Sequence, residues 1–108
     1  MTYKVLLTRG AVRDLEDIDA YITSHDSDIQ ADYVLDKITE AFESLSELPD
    51  RGAYPKELQN LGIKEYQEIF FKLYRIIYRV VNKKIYIYLI ADGRRDMQTI
   101  LQRRLLLE

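Results

Sequence analysis

Tyr74–Ala91 reads YRIIYRVVNKKIYIYLIA, and this stretch decides the fold. Tyr74, Ile76, Tyr78 and Val80 alternate with Arg75, Ile77, Arg79 and Val81, the two-residue period of a strand whose faces meet different surroundings. Asn82-Lys83-Lys84 interrupts the run, and Ile85–Ala91 resumes it with β-branched and aromatic residues. So short a polar connection favours a hairpin, hence antiparallel pairing. Upstream, Tyr66–Phe71 is a further strand-like run, joined through Lys72-Leu73, so three strands form a meander.

The chain before the meander has the helical period. Ala11, Leu15, Ile18 and Ile22 form one apolar stripe between Arg9 and Ser24. His25-Asp26-Ser27-Asp28 breaks it, and Ser27 with Gln30 three residues on is a capping-box pattern for a second helix. That helix carries Ala31, Val34, Ile38, Ala41, Phe42, Leu45 and Leu48 as far as Pro49, where proline stops it. So brief a break predicts an antiparallel helical hairpin. Residues 49–65 hold both prolines and two of the four glycines and read as a loop, with Leu58, Leu61 and Ile63 tucked inward. Tyr3–Thr8 reads as a first strand, at a sheet edge. Met97, Ile100, Leu101 and Leu105 predict a short closing helix bearing Arg103 and Arg104. The expected architecture is α+β, a helical hairpin packed on a curled, mainly antiparallel sheet in the order β-α-α-β-β-β-α, as one domain over residues 1–108.

Composition narrows the chemistry. The 108 residues include no cysteine, which excludes disulfides, thiolate nucleophiles and cysteine-ligated metals. No metal site or cofactor is expected. The start, MTYKVLLTRG, lacks the features of a signal peptide, and no run is long enough to span a bilayer, so the expectation is a cytoplasmic protein without a membrane partner. Charge is lopsided: residues 1–50 hold 4 Lys/Arg against 12 Asp/Glu, whereas residues 51–108 hold 12 against 6. Such a dipole orients charged partners.

Four stretches taken together, AVRDLEDIDAYI, LSELPDRGAYPKEL, YRIIYRVVNKKIYIYLI and ADGRRD, resemble the RelE/ParE toxins of type II toxin–antitoxin systems. The resemblance implies an antitoxin partner that folds on binding and wraps the toxin, a complex that reaches operator DNA through the antitoxin, and growth arrest once the antitoxin is degraded. It also implies one of two targets. RelE-like members cut messenger RNA on the ribosome, and ParE-like members poison DNA gyrase.

RNA cleavage needs a base for the 2′-hydroxyl proton, cations for the phosphate and an acid for the leaving oxygen. In the RelE pattern two lysines precede the YRIIY motif, and here those positions fall on Tyr66 and Glu68; the closing-helix tyrosine position falls on Leu101. Arg75 and Arg95 match the two charge-stabilising arginines. Thus cations remain where proton carriers do not, and His25, the one histidine, lies between the helices and is expected to be solvated. A sequence pI near 5.5 also suits a protein-directed poison better than an RNA-gripping enzyme. The expectation is therefore a ParE-like gyrase inhibitor with no catalytic residues, the alternative being a nuclease that uses Arg75 and Arg95.

Ile18, Tyr21, Ile22 and Tyr33, with Arg75 and Arg79 for acidic side chains, are the expected antitoxin contacts. Arg94, Arg95, Arg103 and Arg104, a cationic end away from the acidic hairpin, are the expected target-facing residues. Arg75 and Arg79 read equally well as the exposed side of a half-buried strand paired with Glu65 or Glu68.

Overall fold

The computed structural model describes residues 2–106; Met1, Leu107 and Glu108 of the expected domain lie outside them. The elements are β1 (Lys4–Leu7), α1 (Arg9–His25), α2 (Asp28–Glu43), a 3-10 turn (Ser44–Ser46), α3 (Lys56–Gln59), β2 (Gln67–Phe71), β3 (Tyr74–Val81), β4 (Lys84–Asp92) and α4 (Met97–Leu101), which runs on as a π-helical turn over Gln102–Leu106. Thr8 caps α1 by accepting from the Ala11 amide, and Ser27 caps α2 by accepting from the Gln30 amide. The two helices are separated only by Asp26 and Ser27. α2 stops short of Pro49, because its last turn tightens into the 3-10 segment at Ser44.

The sheet order is β1-β4-β3-β2. β2, β3 and β4 pair antiparallel through two-residue turns, with Lys72 and Asn82 in left-handed backbone at φ 50° and 58°. β1 pairs parallel to β4 and is an edge strand, as expected, with the Tyr3 amide bonded to Ser46 O. The hairpin helices cover one face, burying Ile22, Ile38 and Phe42 against Ile76, Tyr78 and Ile87. Both faces are covered. Leu58 of α3 with Met97 and Leu101 of α4 buries the other face over Ile77, Leu89 and Ala91. The expected α+β arrangement of a helical hairpin on a mainly antiparallel sheet is found, and the expected loop of residues 49–65 contains a helix.

The alternation of β3 holds along the strand. In β4 it does not, because the register slips: Ile77 opposes Leu89 while Tyr78 opposes Ile87, leaving Tyr88 unmatched. Ile85, Ile87 and Ile90 therefore share one core, and Leu89 and Ala91 the other.

β1 ends at Leu7, opposite Ile87, so among the described residues the outer edge of β4 beyond that point has no neighbouring strand. Two side chains occupy it. Asp14 of α1 accepts from the Ile90 amide at 3.0 Å, and Arg104 donates to Tyr88 O at 3.0 Å. The two also pair with each other at 3.0 and 3.1 Å. Gly10 makes room, since a Cβ there would collide with the guanidinium, which three acceptor atoms hold in place.

Asp14→Ala should therefore strand the Ile90 amide and a guanidinium that is only 21% exposed. The expected loss is about 3 kcal/mol, the low end for breaking a buried pair, read from urea unfolding. Arg104→Met should cost less because it removes the charge but keeps the stem; equal losses would count against the edge-capping role.

Candidate functional site

Arg75 is the arginine that a phosphate-directed site would use, and it is buried at 8% exposure. Its Nη1 and Nη2 each donate to Glu57 at 2.8 Å, and its Nε donates to Glu68 at 2.7 Å. Glu57 comes from α3 and Glu68 from the neighbouring strand, so one cation lies between two carboxylates. The side-chain stem passes beneath Gly93, where a Cβ would lie 2.8 Å from Arg75 Cδ. That close approach gives the glycine of ADGRRD its role. The hydrogen bonds from Arg75 hold the Glu57 carboxyl below its ordinary range, whereas burial pushes Glu68 above it. With both glutamates ionised the cluster carries a formal net charge of −1, which repels a phosphate instead of attracting it.

The positions matched to proton carriers are equally closed. Tyr66 is 7% exposed, packed edge-on to Tyr88 with Arg79 over its ring, and burial raises its hydroxyl pKa. Leu101 is wholly buried. Arg95 lines two clefts beside α1, and Arg75 lines neither, facing a third cleft with Tyr54, Phe70 and Lys72. Thus, among the described residues, none of these three clefts brings the two surviving arginines together. His25 ends α1, is exposed, and stacks on Tyr21 with ring centroids 4.1 Å apart.

The expected partner-contact residues divide between the two sheet faces. Ile18 and Tyr21 line a cleft of about 460 Å³ with Tyr74, Ile90 and Ala91, rimmed by Asp14, Asp17, Asp92, Arg94 and Arg95. Tyr21 and Tyr74 also line an adjoining cleft of about 360 Å³ with His25, Gln30, Phe71 and Leu73. The two clefts share Tyr21 and Tyr74 and form a groove between the first helix and the β2–β3 end of the sheet. Ile22 belongs to the core at 8% exposure and shows the groove only an edge. Tyr33 lines neither cleft; it packs edge-on to Phe71, with Lys72 Nζ over both rings. Arg75 and Arg79 point to the opposite face of β3, away from Ile18, Tyr21, Ile22 and Tyr33.

The expected target-facing arginines are also rearranged. Arg94 is tied to Asp92 at 2.6 Å, and Arg104 to Asp14. Nor is this end remote from the acidic hairpin, because Asp14 and Asp17 of α1 line the same two clefts as Arg95. Sequence reasoning missed Glu57, Arg9 and Arg13. The i, i+4 spacing of the last two was a usable signal.

Glu57→Gln should cost about 1.5–3 kcal/mol at neutral pH, the range for hydrogen bonds to charged groups, and more than Glu68→Gln, whose ionised form is already disfavoured by burial. Because the folded pKa of Glu57 is lowered, its contribution is full above the ordinary carboxylate range and vanishes as pH falls through the lowered value. Urea titrations of both variants at several pH values check this; a larger loss for Glu68→Gln would contradict it.

Residues 5–97 match the family described as ParE toxin of type II toxin–antitoxin system, parDE. The chromosomal ParDE system from P. aeruginosa has a similar fold, with a TM-score of 0.71 at 19% identity, covering 84% of this chain and 96% of that one. The RelBE2 toxin–antitoxin complex from Mycobacterium tuberculosis gives a TM-score of 0.59 at 21% identity, covering 85% of this chain and 99% of that one. No curated protein matches the chain in sequence. At these identities the structural likenesses establish the shared fold, and the sequence match carries membership. The chain belongs to the ParE toxin family of type II toxin–antitoxin systems.

Proposed function

We propose that this chain arrests growth by poisoning DNA gyrase and is neutralised by a cognate antitoxin laid in the groove beside α1. The observation that carries the reading is the closure of Arg75 between Glu57 and Glu68. A ribonuclease would need that guanidinium open to phosphate, with a base and an acid around it. Here Glu57 and Glu68 hold that guanidinium, and two of the matched proton-carrier positions, Tyr66 and Leu101, are built into the packing. A protein that binds its target and holds a reaction intermediate needs none of these groups. Both the gyrase target and the antitoxin place the activity in the cytoplasm, and operator DNA is reached through the antitoxin.

The groove suits a partner helix. Ile18, Tyr21, Tyr74 and Leu73 offer apolar and aromatic surface at the helix–sheet seam, and Tyr21 is 63% exposed. An amphipathic helix places anchors every three or four residues into such a seam. Arg95 at the rim, unlike Arg94, which Asp92 holds, is available to its acidic side chains.

Expression of the chain alone should arrest growth, with gyrase-linked DNA breaks, loss of plasmid supercoiling and intact transcripts. Ribosome-dependent transcript cleavage without DNA breaks would replace this reading with the nuclease one. For the groove, Tyr21→Asp should weaken the antitoxin by about 30-fold, a loss of about 2 kcal/mol, in calorimetric titration. Unchanged affinity would move the antitoxin elsewhere.

A further inference from the structure

The second cleft beside α1, also about 460 Å³, is lined by Arg9, Arg13, Arg95 and Arg103 around the Asp14–Arg104 pair. We propose that it binds the phosphodiester backbone of a nucleic acid. All four of these arginines are exposed, and none has an ion-pair partner among the described residues. Asp14 is already engaged by Arg104 and the Ile90 amide, which leaves Asp17 as the one other carboxylate on the lining among the described residues.

The convergence is built from three separate segments. Arg9 and Arg13 lie one turn apart on α1, and they are two of the only four cations in a half-chain that holds twelve acids. Arg95 comes from the turn after β4, and Arg103 from the π-helical turn that Arg104 pins to α1. Gathering like charges without pairing them disfavours the free state, and an anion relieves that repulsion.

Guanidinium forks suit carboxylate and phosphate alike, so the rest of the lining selects between them. Its apolar members are Leu89, which is 1% exposed, and half-buried Ile100. A protein segment draws its binding energy from desolvated apolar and aromatic anchors, which this cleft lacks and the neighbouring groove has. A nucleic-acid backbone needs only spaced cations and the release of its counterions. The net charge of −2 does not oppose this, since the acids are spread over the hairpin while the arginines are gathered. The ligand is the backbone itself, so the proposal goes beyond the gyrase reading and does not depend on it.

The test is fluorescence anisotropy of the purified full chain with a labelled 20-base-pair DNA duplex and, separately, a labelled single-stranded RNA, between 50 and 200 mM salt. Four phosphate contacts predict a log–log salt slope of about −3 to −4 on the duplex. Arg95→Glu/Arg103→Glu and, independently, Arg9→Glu/Arg13→Glu should each weaken binding at least about tenfold and flatten the slope by about 2. Lys4→Glu/Lys64→Glu, the same charge change at exposed positions outside the cleft, should leave the slope unaltered. Circular dichroism and melting confirm that each variant is folded. Binding of either nucleic acid with these slopes supports the site, and the preferred strand identifies its source. No salt-dependent binding by the unaltered chain, equal loss in the lysine control, or tighter binding of a poly-glutamate peptide than of either nucleic acid would overturn it.

Discussion

The structure turns on the open edge of β4. A nine-residue strand is flanked by a four-residue one, so Tyr88 O and the Ile90 amide have no strand opposite them. Left bare and away from water, each such group costs as much as a lost hydrogen bond. Asp14 and Arg104 supply the missing acceptor and donor and neutralise each other. The pair thereby fixes α1 and the C-terminal turn to the same strand, one from each side. The positions of Arg9, Arg13 and Arg103 follow from that attachment, because each lies within five residues of a member of the pair.

Two sets of arginines in this chain have opposite fates, and total charge reveals neither. Arg75 is buried, and its positive charge is held by two glutamates. Arg9, Arg13, Arg95 and Arg103 are exposed, and of the two carboxylates on their cleft Asp14 is committed to the strand edge. An acidic pI weighed against nucleic-acid binding when charge was averaged over the chain. Averaging hides the geometry, since a screening length of about 8 Å at physiological salt lets a local cluster act apart from those acids of the hairpin that lie outside the cleft.

Much of the fold was legible where one residue type fixes one local geometry. The β3 alternation placed Arg75, Ile77 and Arg79 on one face, and Ser27 marked the start of α2 through its own hydroxyl. The hairpins followed from the short gaps, although the second turn takes only Asn82-Lys83 because Lys84 already belongs to β4. What was illegible depended on pairing across distance. Nothing local announces that Glu57, inside a Pro- and Gly-rich stretch, forms a helical turn and meets an arginine eighteen residues later. The bulge at Tyr88 is equally silent, because IYIYLIA reads the same whether or not the ladder slips. Arg104 looked like a free surface charge for the same reason, since its partner Asp14 lies ninety residues away, whereas Arg94 is paired with Asp92 only two residues before it.

The apolar groove and the arginine cleft lie on either side of one short stretch of α1, and Asp14, Asp17 and Arg95 line both. A single side chain such as Arg95 can make its bidentate contact on one side at a time. On the proposed reading, an antitoxin helix in the groove that draws Arg95 toward an acidic side chain removes one of the four cations from the adjoining cleft. Its own negative charge would sit beside that cleft as well and raise the cost of bringing up phosphate. Neutralisation would then need no rearrangement of the fold. It would follow from two ligands of like charge competing for a shared arginine at a distance where neither salt nor protein fully screens them.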